Sequence, residues 1–128
     1  MQYQIDLNGH SITSNEELQD EKEEPVFYIA RNNSLSITNS SDETSRISGG
    51  HSRSYSSDNG NFLAYCGGGF YNRGYLSLEN VELCDNVAMA GAGIYNEAQS
   101  NARVNIYSGT KIYGNNGSYV VQGETCND

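Results

Sequence analysis

A short glycine-rich motif occurs twice in this chain and constrains its fold more than any other feature. The first copy, residues 67–72, reads Gly-Gly-Gly-Phe-Tyr-Asn, and the second, residues 91–96, reads Gly-Ala-Gly-Ile-Tyr-Asn. The copies start 24 residues apart, at residues 67 and 91. Similarity at such an interval is typical of proteins that stack one structural unit on the next. The sequence therefore predicts a repeat architecture.

Apolar residues alternate with polar ones after each copy of the motif. Alternation over a few residues is a strand signal, and no helical period of apolar residues intervenes. Each unit is predicted to hold a glycine corner, two short strands and an asparagine-bearing bend. The equivalent positions are Leu76, Leu78, Leu83 and Asn86 after the first copy, and Val104, Ile106, Ile112 and Asn115 after the second.

Two earlier parts of the chain carry the same alternation without the glycine corner. Residues 5–12 repeat the apolar spacing of residues 76–83, and residues 26–37 supply two further strands. If such units stack at the strand spacing of about 4.8 Å, like residues lie over like and form inward columns. The predicted columns are Ile5, Leu35, Leu76 and Val104; Leu7, Ile37, Leu78 and Ile106; and Ile12, Ile47, Leu83 and Ile112.

Glycine and asparagine residues at the corners are expected to be structural. Glycine adopts positive φ angles and leaves room where backbones crowd, and asparagines that lie above one another can join their amides in a ladder. Asn72 is expected over Asn96, and Asn86 beside Asn115. The full set of corner and ladder residues is Gly68, Gly69, Asn72, Asn86, Gly91, Gly93, Asn96 and Asn115.

Length and composition fit one domain over residues 1–128. Apolar residues make up 36% of the chain, less than a globular domain uses, whereas a solenoid needs only a line of inward side chains per turn. Two loop insertions are predicted, an acidic one at residues 13–25 and a polar, serine-rich one at residues 51–61.

The formal net charge of −9 argues against nucleic acid as a partner, because phosphate binding requires clustered Lys and Arg. Residues 16–24 hold six acidic residues and one lysine. This segment is expected to be a solvated loop, with cation binding or partner docking as the alternative. No apolar run is long enough to insert into a membrane, and no signal-peptide pattern is visible. The chain is therefore expected to be cytoplasmic or a piece of a longer exported protein.

Three cysteines, Cys66, Cys84 and Cys126, have no C-x-x-C spacing. This argues against a zinc module and a complete disulfide framework. Buried or unpaired thiols are expected, and one disulfide is the alternative. The glycine corners lack the third glycine of a dinucleotide fingerprint and no helix follows them, so no cofactor or metal is predicted.

Residues 83–96 resemble the repeat of polymorphic outer-membrane-type and other bacterial surface adhesins. In those repeats a hydrophobic residue, and an asparagine three positions later, precede a glycine-rich corner. Leu83, Asn86 and the corner at residues 91–95 match this pattern. Residues 5–12 are similar to the start of repeats in large surface proteins of Gram-positive gut bacteria. The resemblance covers about residues 67–116, and more weakly residues 5–50.

This resemblance implies an all-β fold, a right-handed parallel β-helix of the pectin-lyase-like class with about four coils. It also implies a secreted or surface-displayed protein. Such a stack has two open ends, which normally require caps. Neighbouring coils of a longer chain, or self-association through the open ends, are therefore expected partners.

Catalysis is the main alternative, because the same class includes polysaccharide lyases and hydrolases. Hydrolysis needs two carboxylates at a defined separation. Asp85 and either Glu79 or Glu82 would have that separation only if the stacking of the units happened to bring them together. The histidine motifs at residues 9–11 and 50–52 lack a neighbouring Asp pair. For a lyase the candidates are Arg53, Arg73 and Arg103 as base, with Asp58, Asp85 and Glu97 as calcium ligands. No spacing selects among them, so no catalytic residue is predicted.

Four tyrosines are candidates for carbohydrate binding: Tyr71, Tyr95, Tyr107 and Tyr113. If Phe70 and Ile94 point inward, Tyr71 and Tyr95 point outward and stack; cross-strand stabilisation is their other expected role. The residues favour a non-catalytic structural or adhesive segment that has a host-surface glycan or protein as partner. A polysaccharide-active enzyme and a phage or virion fibre module are the alternatives.

Overall fold

The computed structural model describes residues 1–14, 25–52, 66–88 and 90–117, and the backbone of residues 119–121 and 124–126. Within these residues the fold is all-β with mainly parallel strands, as predicted; the helical part is a 3₁₀ turn at Ala98–Ser100. Most of both predicted loops, residues 15–24 and 53–61, lies outside the described residues. Thr13 and His51–Ser52, which were expected to be loop, form strands.

Three parallel sheets contain most of the strands. In spatial order, sheet 1 is β1 (Gln2–Asp6), β4 (Ser34–Thr38), β8 (Tyr75–Leu78) and β12 (Arg103–Ile106). Sheet 2 is β2 (Ile12–Thr13), β5 (Arg46–Ser48), β9 (Glu82–Cys84) and β13 (Lys111–Tyr113). Sheet 3 is β3 (Phe27–Ile29), β7 (Phe70–Asn72) and β11 (Ile94–Asn96).

Two further pairs complete the strands of the described residues. β6 (His51–Ser52) pairs in parallel with β10 (Val87–Ala88), and β14 (Tyr119–Val121) pairs antiparallel with β15 (Glu124–Cys126). From β3 onward the chain therefore visits sheet 3, sheet 1, sheet 2 and the small parallel pair, and then returns to sheet 3 at β7.

Equivalent residues of successive units pair in register. Leu35, Leu76 and Val104 form one row, and Ile37, Leu78 and Ile106 form the next. Ile12, Ile47, Leu83 and Ile112 form the row in sheet 2. The predicted columns are thus confirmed for β4 onward and throughout sheet 2.

The predicted register of the first strand is wrong by two residues. The sequence placed Ile5 with Leu35, whereas the structure pairs Tyr3 with Leu35 and Ile5 with Ile37. Leu7 follows the strand, and its N–H donates to the carbonyl of Thr38 at 2.8 Å. Alternation has a period of two, so it fixes the face of each residue but not which of two shifted registers forms.

The inward rows make the core, and their exposure depends on the layer. Ile37, Leu78 and Leu83 are fully buried. Ile106 and Ile112, in the last layer of these rows, are each 47% exposed. They lie in the predicted rows, but they are covered from one side alone within the described part of the chain. The expectation that they lie in the interior therefore fails at this end.

Asparagine amides join neighbouring layers at two corners. Nδ2 of Asn72 donates to Oδ1 of Asn96 at 2.8 Å, and Nδ2 of Asn86 donates to Oδ1 of Asn115 at 2.9 Å. Asn86 is fully buried, and its Oδ1 accepts a hydrogen bond from the N–H of Gly50 at 2.9 Å. A buried amide is costly without partners, so these bonds oppose a slip of one layer against the next.

Close backbone contact explains the glycine corner. Gly67 and Gly91 have φ angles of +81° and +61°, a region that side chains with a Cβ rarely adopt. At Gly68 a Cβ would lie 2.3 Å from the carbonyl oxygen of Ala92 in the next layer. Gly67 and Gly91 are therefore needed for their backbone conformation, and Gly68 is needed where its layer crosses the next, at a position that Ala92 occupies in the second copy of the motif.

The contribution of an inward side chain to the free energy of unfolding is predicted to differ between layers of the same row. Leu78→Ala should destabilise the protein by about 3 kcal/mol, because it leaves a cavity in a fully buried site. Ile106→Ala should cost about 1 kcal/mol, because half of this side chain is already in water. Urea denaturation followed by circular dichroism measures both values, and equal costs would contradict the layered core.

Candidate functional site

Sheet 3 separates two kinds of aromatic side chain. Phe27, Phe70 and Ile94 pair in register and point inward, and the rings of Phe27 and Phe70 stack with centroids 5.2 Å apart. Phe70 is fully buried. Because side chains alternate along a strand, the tyrosines that follow these residues point to the opposite face of the sheet.

These outward residues, Tyr28, Tyr71 and Tyr95, form a stack that we call the tyrosine ladder. The rings of Tyr28 and Tyr71 stack with centroids 5.3 Å apart, and those of Tyr71 and Tyr95 lie 5.1 Å apart with their planes tilted by 41°. Tyr71 lies between the other two rings, so its faces are largely covered. Tyr28 is 57% exposed. The accessible ring surface is therefore concentrated at the Tyr28 end.

A buried carboxylate holds the ladder from one side. Glu97 is 6% exposed and accepts hydrogen bonds from Nε of Arg73 at 2.8 Å and from the hydroxyl of Tyr71 at 3.1 Å. The hydroxyl of Ser100, in the 3₁₀ turn, also donates to it. These bonds, that from Ser100 foremost and then that from Arg73, lower the pKa of Glu97, so it is ionised at neutral pH.

Arginine side chains extend this network around the ladder. Nη1 of Arg73 donates to the hydroxyl of Tyr28 at 3.1 Å, and Nη2 of Arg31 donates to Oγ of Ser100 at 3.2 Å. Hydrogen bonds to Tyr28 and Glu97 raise the pKa of Arg73. Burial, together with the bond to Glu97, raises the pKa of Tyr71. The ladder is therefore bordered by polar groups that hydrogen bonds hold in place.

A cavity of about 320 Å³ borders the exposed end of the ladder. It lies between β1 and β3, and its lining includes Tyr3, Ile5, Phe27 and Tyr28. Within the described residues, no strand pairs with the outer edge of β3. The cavity is thus an opening at the end of sheet 3, with a volume in the range of small-ligand sites.

The four tyrosines predicted as a binding set lie on different sheets. Tyr71 and Tyr95 share the ladder, whereas Tyr107 follows β12 and is 53% exposed. Tyr113 lies in β13 and donates a hydrogen bond to Glu82. Sequence reasoning omitted Tyr28, although residues 27–28 and 70–71 share the dipeptide Phe-Tyr, a signal that could have identified it.

Three of the residues considered for catalysis, Arg73, Glu82 and Glu97, have structural partners. Arg73 and Glu97 form an ion pair. Glu82 binds Tyr113 and lies 3.6 Å from Nε of Arg46. Two further candidates, Arg53 and Asp58, lie outside the described residues.

Neither a metal cluster nor a membrane helix is found in the part of the chain that the structure describes. It holds no group of three or more His, Cys, Asp and Glu side chains suited to an ion. No helix there has the length and apolar character needed to span a bilayer.

Cys66 and Cys84 are buried, and burial raises the pKa of the Cys84 thiol.

Comparison of the chain with protein-family models, with curated proteins and with solved structures found no match. The structure shows parallel sheets in which the repeated units stack in register.

Glu97 should make stability depend on pH in a defined direction. Because folding lowers its pKa, the carboxylate stabilises the protein above the unfolded value of about 4.3 and loses this effect as pH falls through the folded value. Glu97→Gln should cost about 2 kcal/mol at neutral pH and much less in acid. Urea midpoints from neutral to acidic pH test this, with Glu79→Gln, an exposed carboxylate, as control. A constant difference between parent and Glu97→Gln would contradict it.

Proposed function

We propose that this chain is a non-catalytic segment of a secreted or cell-surface protein, and that its tyrosine ladder binds carbohydrate. We further propose that the segment is a right-handed parallel β-helix of about four coils. Strand order supports the helix, because each strand of sheets 1–3 pairs with the strand one coil away. Crossover connections between parallel strands are right-handed in nearly all proteins.

Surface display is supported by the adhesin-like residues 83–96 and by the physical character of the stack. A solenoid presents an extended, rigid surface whose size grows with the number of coils. Its outward residues are constrained little by packing, so binding groups can be placed on a regular grid. The ladder is such a grid, with steps of 5.1 and 5.3 Å.

The exposed end of the ladder is the observation that carries the carbohydrate proposal. A pyranose ring has an apolar face of C–H groups and a rim of hydroxyls. Tyr28 offers a ring that is 57% exposed beside a cavity of about 320 Å³. Arg73 bonds to its hydroxyl at 3.1 Å and fixes the ring. A flat aromatic surface bordered by polar groups suits such a ligand.

Hydrolysis is disfavoured at the ladder by the state of Glu97. A general acid needs a raised pKa, and a general base needs an accessible oxygen. Glu97 is nearly buried, has three donors and has a lowered pKa. Its arrangement suits the support of neighbouring side chains and does not suit proton transfer to a substrate.

Glycan binding should depend on Tyr28 more than on other exposed tyrosines. A glycan array identifies the oligosaccharide, and titration calorimetry then measures its affinity. Tyr28→Ala should weaken binding at least about tenfold, equivalent to about 1.4 kcal/mol of stacking. Tyr75→Ala is the matched control, because Tyr75 is 44% exposed on sheet 1 and should leave affinity unchanged. Equal losses in both variants, or no binding to any glycan, would refute the proposal.

The alternative functions give different experimental results. Incubation with plant and host polysaccharides should yield neither unsaturated products nor new reducing ends. Either product would establish a lyase or a hydrolase instead. A fibre module of a phage or virion would sediment as a closed trimer, a species that the proposed segment does not form.

A further inference from the structure

The last layer of the stack exposes apolar side chains that its inner layers bury. β12 and β13 each pair along one edge within the described residues. Ile106 and Ile112 are each 47% exposed, whereas Leu78 and Leu83, which pair with them, are fully buried. Strand edges and apolar side chains of this kind favour the addition of another strand layer.

The first layer exposes the complementary edges of the same two sheets. β1 and β2 also pair along one edge within the described residues. Tyr3, in the row of Leu35, is 50% exposed, and Ile5 and Ile12 are partly exposed. Because all strands of sheets 1 and 2 are parallel, the first layer has the polarity that a strand layer added to β12 and β13 would require.

We propose that the last layer of one copy docks on the first layer of a second copy. β12 pairs with β1 of the second copy, and β13 pairs with its β2, all in parallel. Continuation of the rows places Ile106 beside Ile5, and Ile112 beside Ile12. This head-to-tail contact joins different faces, so its repetition builds an open-ended filament.

Continuity with the contacts inside the chain identifies a second copy as the occupant. Sheet 1 makes the layer-on-layer contact three times, between β1 and β4, β4 and β8, and β8 and β12. The proposed contact repeats this pairing with the same row-forming side chains. Sheet 3 is not extended, because its first strand, β3, lies one layer later than β1. The contact does not use Tyr28, but it covers Tyr3 and Ile5, which line the cavity beside Tyr28, so a docked copy and a glycan should compete for this end of the stack.

Two variants block one face each. Ile106→Asp places a carboxylate in the last layer, and Tyr3→Asp places one in the first layer. Asn105→Asp is the matched control, because Asn105 is an exposed residue of β12 that alternates with the inward side chains. Circular dichroism and thermal denaturation verify that each variant folds.

Sedimentation velocity over a concentration series then tests the contact. The unaltered chain and Asn105→Asp should associate progressively without a final size. Each blocked variant alone should associate at least about tenfold more weakly. An equimolar mixture of the two blocked variants should form a 1:1 pair, because one intact first layer meets one intact last layer.

Three results would overturn the proposal. The unaltered chain could remain monomeric at every concentration. Tyr3→Asp could associate as strongly as the unaltered chain, which would indicate contact between two last layers. The mixture of blocked variants could fail to form a pair although each associates weakly alone.

Discussion

Parallel, in-register pairing between successive layers is the interaction on which the rest of the structure depends. It places each residue about 4.8 Å from its equivalent in the next layer. Equivalent side chains therefore point to the same face of the sheet in every layer. In sheet 3 this arrangement turns Phe27 and Phe70 inward, where Phe70 is fully buried, and directs Tyr28 and Tyr71 outward. Core and candidate site thus follow from one hydrogen-bonding pattern.

Corner residues maintain this register where the strands are too short to do so alone. Strands of two to five residues leave many backbone groups to the turns. Asn86 meets this need, since its buried amide bonds to Ile47, Cys84 and Asn115 in three successive layers. Gly68 allows the close crossing with Ala92. A buried amide that loses its partners is costly, so the corners help to define the register.

Stacking of side chains stabilises the sheet, but it reduces the surface that is available for binding. Each ring of the tyrosine ladder covers the next, and this contact stabilises the sheet. The same contact removes ring faces from solvent, so the ladder offers its surface at the exposed end, at Tyr28. The apolar rows behave in the same way, since Ile106 and Ile112 are exposed at the last layer. In this layered fold, the aromatic and apolar surface that is available for binding therefore lies at the ends of the stack.

The sequence by itself determined most strands of the three sheets, the face of their side chains and most rows, because a repeated motif and a period of two specify these locally. Alternation cannot distinguish registers that differ by two residues, so the pairing of Ile5 with Ile37 was decided by the tertiary structure. Contacts between separate units could not be predicted from the sequence either. Tyr28 joins the ladder through the pairing of β3 with β7, and Glu97 meets Arg73 from the adjacent layer. Such contacts depend on distances that exist once the layers are stacked.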